Sequence, residues 1–144
     1  MEINDAIKLE NQLCFPLYAA SRLVTKCYQP VLDSLGITYP QYLVLMVLWE
    51  TDSVSLTVLS QKLMLQSNTL TPLLKRMQET GLVERVRSLK DERSIVISLT
   101  EKGSALKEKA PVLRAQLSDN LGVSLEEINQ LKNLLDKLIF NLNK

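Results

Sequence analysis

Ser55-Leu56-Thr57-Val58-Leu59-Ser60-Gln61-Lys62-Leu63, followed by Asn68-Thr69-Leu70-Thr71-Pro72-Leu73-Leu74-Lys75-Arg76-Met77-Gln78-Glu79-Thr80, decides the fold. Ser55 caps a short helix, and Leu56, Leu59 and Leu63 recur behind it at helical spacing. Leu65-Gln66-Ser67 breaks the pattern. The second helix is striped by Leu70, Leu73, Leu74 and Met77 and stopped by Gly81. The period then changes. Leu82-Val83-Glu84-Arg85-Val86 and Ile95-Val96-Ile97-Ser98-Leu99 are β-rich runs, joined by a polar stretch from Arg87 to Ser94. Helix, turn, helix and hairpin in this order make a winged helix.

Outward from this motif the chain stays helical. Thr38-Tyr39-Pro40-Gln41 reads as a helix start, with a Thr cap, Pro in the first turn and Gln at the capping-box position. The run from Tyr42 to Trp49 is apolar on every face, so this helix belongs in the core. Residues 6–35 read as one long helix carrying Leu9, Leu13, Leu17, Ala20, Val24 and Val31, interrupted at Pro16 and Pro30 and stopped by Gly36. Beyond the hairpin, Thr100 starts a helix with Leu106 on its apolar face, Pro111 kinks it and Gly122 ends it. Ser124-Leu125-Glu126-Glu127 is a capping box for a last helix striped by Ile128, Leu131, Leu134, Leu135, Leu138 and Leu142. The expected fold class is mainly α with a small β-hairpin. A single domain over 1–144 is expected, with the winged helix at about 53–100 and the apolar helices at about 1–37 and 101–144 suited to pairing with a second copy.

Composition narrows the chemistry. The 144 residues are 46% hydrophobic and 23% charged, a globular balance, while 5% aromatics and 4 glycines argue against an all-β fold. The absence of histidine removes His-ligated zinc, Ser-His-Asp and Cys-His catalysis and imidazole bases. No cofactor or metal is expected. Net charge is only +1, so any surface for nucleic acid must come from local clustering. Cys14 and Cys27 are too few for a disulfide framework. The polar start, without a basic and then apolar leader, points to a soluble protein of a reducing compartment, the cytoplasm, with no membrane association.

Duplex DNA admits one α-helix into its major groove, where the side chains at the helix start reach base edges. The second helix offers Ser67, Asn68, Thr69 and Thr71 there, with Lys75 and Arg76 on the face away from the leucines. From Ser53 to Gln78 the charges are Lys62, Lys75 and Arg76 alone, a +3 window attractive to phosphates. The hairpin adds Arg85, Arg87, Lys90 and Arg93, and an Arg at such a tip suits a narrow minor groove. Asp91 stands where it can orient the Arg93 guanidinium. A merely solvated helix face is the plainer reading of Lys75 and Arg76, and the adjacent turn, the second basic element and the acid-free window outweigh it.

The N-terminal thiol is a second candidate site. On an ideal helix Cys14 and Tyr18 share a face one turn apart, and Tyr28 lies near that face but roughly 21 Å further on. Tyr28 therefore reaches Cys14 only from a second, antiparallel copy, and Tyr39 is a further phenol in range of such an arrangement. Phenol hydroxyls stabilise a thiolate, and a thiolate reacts with peroxide to give a sulfenic acid. Cys27 is about 20 Å along the helix from Cys14, too far for an intrachain disulfide. The plainer reading makes both cysteines small core residues.

These residues carry a resemblance. Leu9-Glu10-Asn11-Gln12-Leu13-Cys14-Phe15, Leu17-Tyr18, Thr38-Tyr39-Pro40-Gln41-Tyr42, Thr69 to Met77, Asp91-Glu92-Arg93 and Ile97-Ser98-Leu99-Thr100 resemble the MarR family of winged-helix regulators, in its organic hydroperoxide resistance regulator branch. The likeness covers nearly the whole chain and is weakest in the last two helices. It implies a MarR-like homodimer whose N- and C-terminal helices form the interface. It further implies a repressor that binds an inverted-repeat operator when reduced and leaves it when an organic hydroperoxide oxidises Cys14. Tyr28 and Tyr39 are then the phenols meeting Cys14 across the dimer, with Tyr18 nearby, and Arg93 is the wing-tip residue of the minor groove. The sequence departs from the family at three points. No resolving cysteine lies in the C-terminal half, which favours capping of Cys14 by a low-molecular-weight thiol unless a partner's Cys27 reaches it. Gln66 and Asn68 replace a common Asp and Gly, and Pro16 sits beside the sensing residue. Two alternatives stay open: a MarR-type repressor released by a small phenolic or drug-like ligand, and a thiol peroxidase, which the missing histidine disfavours.

Overall fold

The computed structural model describes residues 2–91 and 93–143. Along the chain run α1 (Ile3–Ala6), α2 (Cys14–Cys27), α3 (Gln29–Leu35), α4 (Tyr39–Glu50), β1 (Val54–Ser55), α5 (Leu56–Leu63), α6 (Ser67–Glu79), β2 (Val83–Arg87), β3 (Ile95–Leu99), α7 (Glu101–Ala105), α8 (Ala110–Asn120) and α9 (Leu125–Leu142). Short 3₁₀ turns occupy Leu9–Asn11 and Leu106–Lys109. Contacts divide the chain into two compact units: Met1–Cys27 with Arg114–Lys144, and Tyr28–Leu113.

The unit Tyr28–Leu113 holds the core. Gly36 ends α3 at φ 71°, a left-handed conformation that glycine adopts without strain. Thr38 then starts α4 through the expected capping box: Thr38 Oγ1 accepts from the Gln41 N–H, and Gln41 Oε1 accepts from the Thr38 N–H. Inside α4, Gln41, Tyr42, Val44, Leu45 and Leu48 are buried. Leu59 of α5 and Leu70, Leu74 and Met77 of α6 pack with them, together with Val83 and Ile97 from the sheet. Ser55 accepts from the Val58 N–H and caps α5. Met64 turns the chain at φ 55°, and the Ser60 hydroxyl donates to the Leu65 carbonyl, closing the helix-turn-helix.

The sheet has three antiparallel strands in the order β1-β3-β2. Val83 pairs with Leu99 and Arg87 with Ile95, which sets the wing's length, while Val54 pairs with Ile97. The two-residue β1 is too short to show a sequence period, so it was legible only as the approach to the Ser55 cap. Thr100 caps α7 by accepting from the Gly103 N–H, and its own hydroxyl donates to the Gly81 carbonyl at 2.5 Å.

Helix continuity is where the expectation fails. The single helix read over 6–35 is broken into α1, a 3₁₀ turn, α2 and α3. Pro16 is the third residue of α2 and Pro30 the second of α3, first-turn positions where no acceptor waits for an N–H. The prolines start helices here and do not interrupt one. Ahead of α2, Asn11 Nδ2 donates to the Asp5 carbonyl at 2.7 Å, and Gln12 Nε2 to those of Ala6 and Lys8 at 2.6 and 3.0 Å. These side chains occupy carbonyls that a continuing helix would use. The kink expected at Pro111 lies just before it, in the Leu106–Lys109 turn, because Pro111 is likewise the second residue of α8.

In the other unit, α9 starts at its capping box, with Ser124 Oγ accepting from the Glu127 N–H and Glu127 Oε1 from the Ser124 N–H. Hydrogen bonding to the carboxylate, first from the Ser124 backbone N–H and then from the Ser124 side chain, holds the Glu127 carboxyl below its usual range. Neither α2 nor α9 buries a single residue, although both carry apolar stripes.

Candidate nucleic-acid interface and thiol site

Ser67, Asn68, Thr69 and Thr71 fall on the first turns of α6 and are exposed, as are Lys75 and Arg76. The leucine stripe of α6 faces the core, so the polar side chains point outward because the apolar ones are committed. The Thr71 hydroxyl donates to the Ser67 carbonyl at 2.8 Å, and its oxygen keeps the capacity to accept. Pro72 stands inside the helix and has no N–H for the Asn68 carbonyl.

The wing tip is held by its own backbone. The Ser88 N–H donates to the Ser94 carbonyl at 2.8 Å, the Ser94 N–H to the Asp91 carbonyl at 2.9 Å, and the Lys90 N–H to Ser88 Oγ at 3.2 Å. The Asp91 carboxylate accepts the backbone N–H of Arg93 at 3.0 Å, an Asx-type turn that shapes the loop carrying Arg93. Arg87 and Arg93 are exposed at the tip. Arg85 is half-buried, and its Nε donates to Gln78 Oε1 of α6 at 2.8 Å, which ties wing to helix.

Cys14 is the first residue of α2 and is exposed, so it is no core thiol of its own chain. Tyr18 follows one turn later, with the Arg22 guanidinium 4.4 Å from its ring centre. Cys27, at the far end of α2 and about 20 Å away along the axis, is half-buried and donates its S–H to the Leu23 carbonyl. Tyr28 and Tyr39 come together in the other unit, ring centres 5.4 Å apart, and the sequence reading missed Tyr42, which joins them at 6.0 and 6.3 Å. Its place in the core run of α4 hid it. Burial pushes the Tyr39 phenol above its usual value, and burial, then the neighbouring Tyr39, does the same for Tyr42. Among the described residues no cluster of His, Cys, Asp or Glu is suited to a metal ion.

Comparison with known proteins identifies the scaffold. A family model described as transcriptional regulator SarA/Rot matches residues 26–110. The organic hydroperoxide resistance transcriptional regulator of Bacillus subtilis (strain 168) is 51% identical over 140 residues, covering 97% of this chain and 95% of its own. The chain belongs to the MarR family, in its organic hydroperoxide resistance branch. Solved structures agree with this MarR-family assignment. Reduced AbfR bound to DNA, a protein of Staphylococcus epidermidis, superposes at a TM-score of 0.82 with 37% identity, over 99% of this chain and 97% of AbfR. AbfR with a disulfide formed superposes at 0.63 with 38% identity, over 97% and 93%. The reduced form of MarR from E. coli superposes at 0.71 with 27% identity, over 89% and 96%. The MarR-family winged helix expected from the sequence is therefore the fold, and the chain is a transcriptional regulator of this type.

Proposed function

We propose that this regulator is a dimeric repressor that holds an inverted-repeat operator through α6 and the wing, and releases it when an organic hydroperoxide oxidises Cys14. One observation carries the sensing step: Cys14 stands exposed at the start of α2, in a unit whose long helices bury nothing of their own. A second copy covering those helices, formed by about 1–37 and 101–144, brings the Tyr28 and Tyr39 phenols against Cys14 of the partner subunit, with Tyr18 beside it. The relative named for hydroperoxide resistance supports the oxidant, and AbfR, solved reduced on DNA and separately with a disulfide, supports a redox-governed regulator.

On the DNA side, Ser67, Asn68, Thr69 and Thr71 meet base edges and Lys75 and Arg76 meet phosphates. Arg93 enters the minor groove at a tip shaped by Asp91, and Arg87 lies beside the backbone. Two recognition helices of a two-fold dimer stand about one DNA turn, ~34 Å, apart. In the chemical step the Cys14 thiolate attacks the outer oxygen of ROOH. The S–O bond forms, the O–O bond breaks, the alkoxide leaves as ROH with a proton, and Cys14 becomes a sulfenic acid. A small cellular thiol then displaces water to give a mixed disulfide. The bulkier polar adduct in a packed interface costs a few kcal/mol, roughly, and biases the dimer toward a spacing of α6 helices that no longer fits the operator.

The test uses a duplex selected from a random pool by the reduced protein. Cumene hydroperoxide plus cysteine is expected to release the wild type, while Cys14→Ser binds the same duplex and ignores the oxidant. If the variant is released like the wild type, Cys14 is not the switch. Sustained peroxide turnover would make the chain a peroxidase, and release by a phenolic compound with Cys14 still reduced would make it a ligand sensor.

A further inference from the structure

Leu89 is fully exposed at the wing tip. Its neighbours in the turn are polar: Ser88, Lys90, Asp91 and Ser94. The tip is fixed by the four hydrogen bonds among Ser88, Lys90, Asp91, Arg93 and Ser94, so its own loop does not fold over the leucine. In sequence, positions 87–93 carry three cations, Arg87, Lys90 and Arg93, against two acids, Asp91 and Glu92, and the Asp91 carboxylate already serves the backbone.

A lone exposed leucine is ordinary on a protein surface. This one sits in the hydrogen-bonded, net-cationic loop that joins β2 to β3, and that charge selects a polyanion as its partner. The minor groove of duplex DNA matches both halves of the feature. Its phosphates line the rim, and its walls are the C–H faces of deoxyribose, apolar surface that a branched alkyl group fits. We propose that Leu89 is an apolar DNA contact, packing against the deoxyribose wall of the minor groove beside Arg93. The inference rests on the DNA-binding reading above. It adds a contact whose contribution is insensitive to salt, because an alkyl group displaces no counterion.

Salt titration of binding to the selected duplex separates the possibilities. Leu89→Ala is expected to bind about tenfold more weakly at every salt concentration, as loss of most of a buried leucine side chain predicts, with an unchanged slope of log affinity against log salt. Leu89→Met restores affinity to within about threefold of wild type, since it keeps the apolar volume. Arg93→Ala, by contrast, flattens the slope by about one. If Leu89→Ala binds like wild type while Lys75→Ala and Arg93→Ala bind weakly, the leucine contact is wrong and the DNA-binding reading stands. A slope change in Leu89→Ala, or an altered oligomeric state without an affinity change, also overturns the contact. If no duplex is selected by the wild type, or Lys75→Ala and Arg93→Ala are silent, it is the DNA-binding reading that fails.

Discussion

Gly103 leaves less room than any other glycine in the chain. A Cβ placed there would lie 2.2 Å from the Leu82 carbonyl oxygen and 3.1 Å from Leu99 Cδ2, so backbone must move to admit a methyl group. The same residue's carbonyl accepts the Trp49 indole N–H at 2.9 Å. Gly103→Ala is therefore expected to cost roughly 2–3 kcal/mol, as overpacking against backbone does, and to perturb Trp49. Urea unfolding followed by Trp49 fluorescence measures both. An unchanged midpoint would mean that α7 shifts freely away from the sheet. Gly103 was silent in the sequence because its demand comes from Leu82, twenty-one positions earlier, and no local pattern reports such a contact. The same holds for Asp91, whose turn role depends on which atom of Arg93 meets the carboxylate. For Cys14 and the first residues of α6, chemistry or helix phase marks a candidate directly, and the structure leaves these side chains exposed.

Among the elements, those with complete local signals are read best. The Thr38 and Ser124 capping boxes, the Ser55 and Thr100 caps and the glycines at 36, 81 and 122 all end or begin structure where their chemistry requires it. Proline carries an ambiguous signal, because its missing N–H breaks a helix in the middle and suits one in the first turn. Pro16 and Pro30 took the second role, and only the Asn11 and Gln12 side chains, bonded backward to carbonyls, explain why helix ends before Cys14. The Thr38 box starts the helix that positions Tyr39 and Tyr42. Thr38→Ala should lower stability by about 1 kcal/mol, the usual contribution of such a cap. Because the substitution is local, the denaturant midpoint falls while the m-value holds. A changed m-value would show instead that α4 is already partly unfolded in one of the two states.

For the whole molecule the two units differ in what they bury. Tyr28–Leu113 encloses the continuous core from Leu32 to Leu113, whereas α2 and α9 bury no residue. Along α9, Leu131 is 57% and Leu134 67% exposed in the single chain. Leaving such stripes in water forfeits roughly 1.5–3 kcal/mol for each large side chain that burial would recover. Exposed apolar side chains of this kind are what a partner surface would cover, and they lie on the elements that the sequence reading suited to pairing. If a second copy covers α9, unfolding is coupled to dissociation, and the melting temperature rises with protein concentration. Over a hundredfold range in concentration the wild type should show that rise, and sedimentation should give twice the chain mass. The double substitution Leu131→Asp, Leu134→Asp places two charges on the proposed contact. It should sediment as a single chain, melt at one temperature at every concentration and lose affinity for the selected duplex, because two half-sites are no longer held together. A wild type whose melting temperature is the same across that range, and which sediments as one chain, would remove the partner that the Cys14 switch requires and leave the winged helix to act alone.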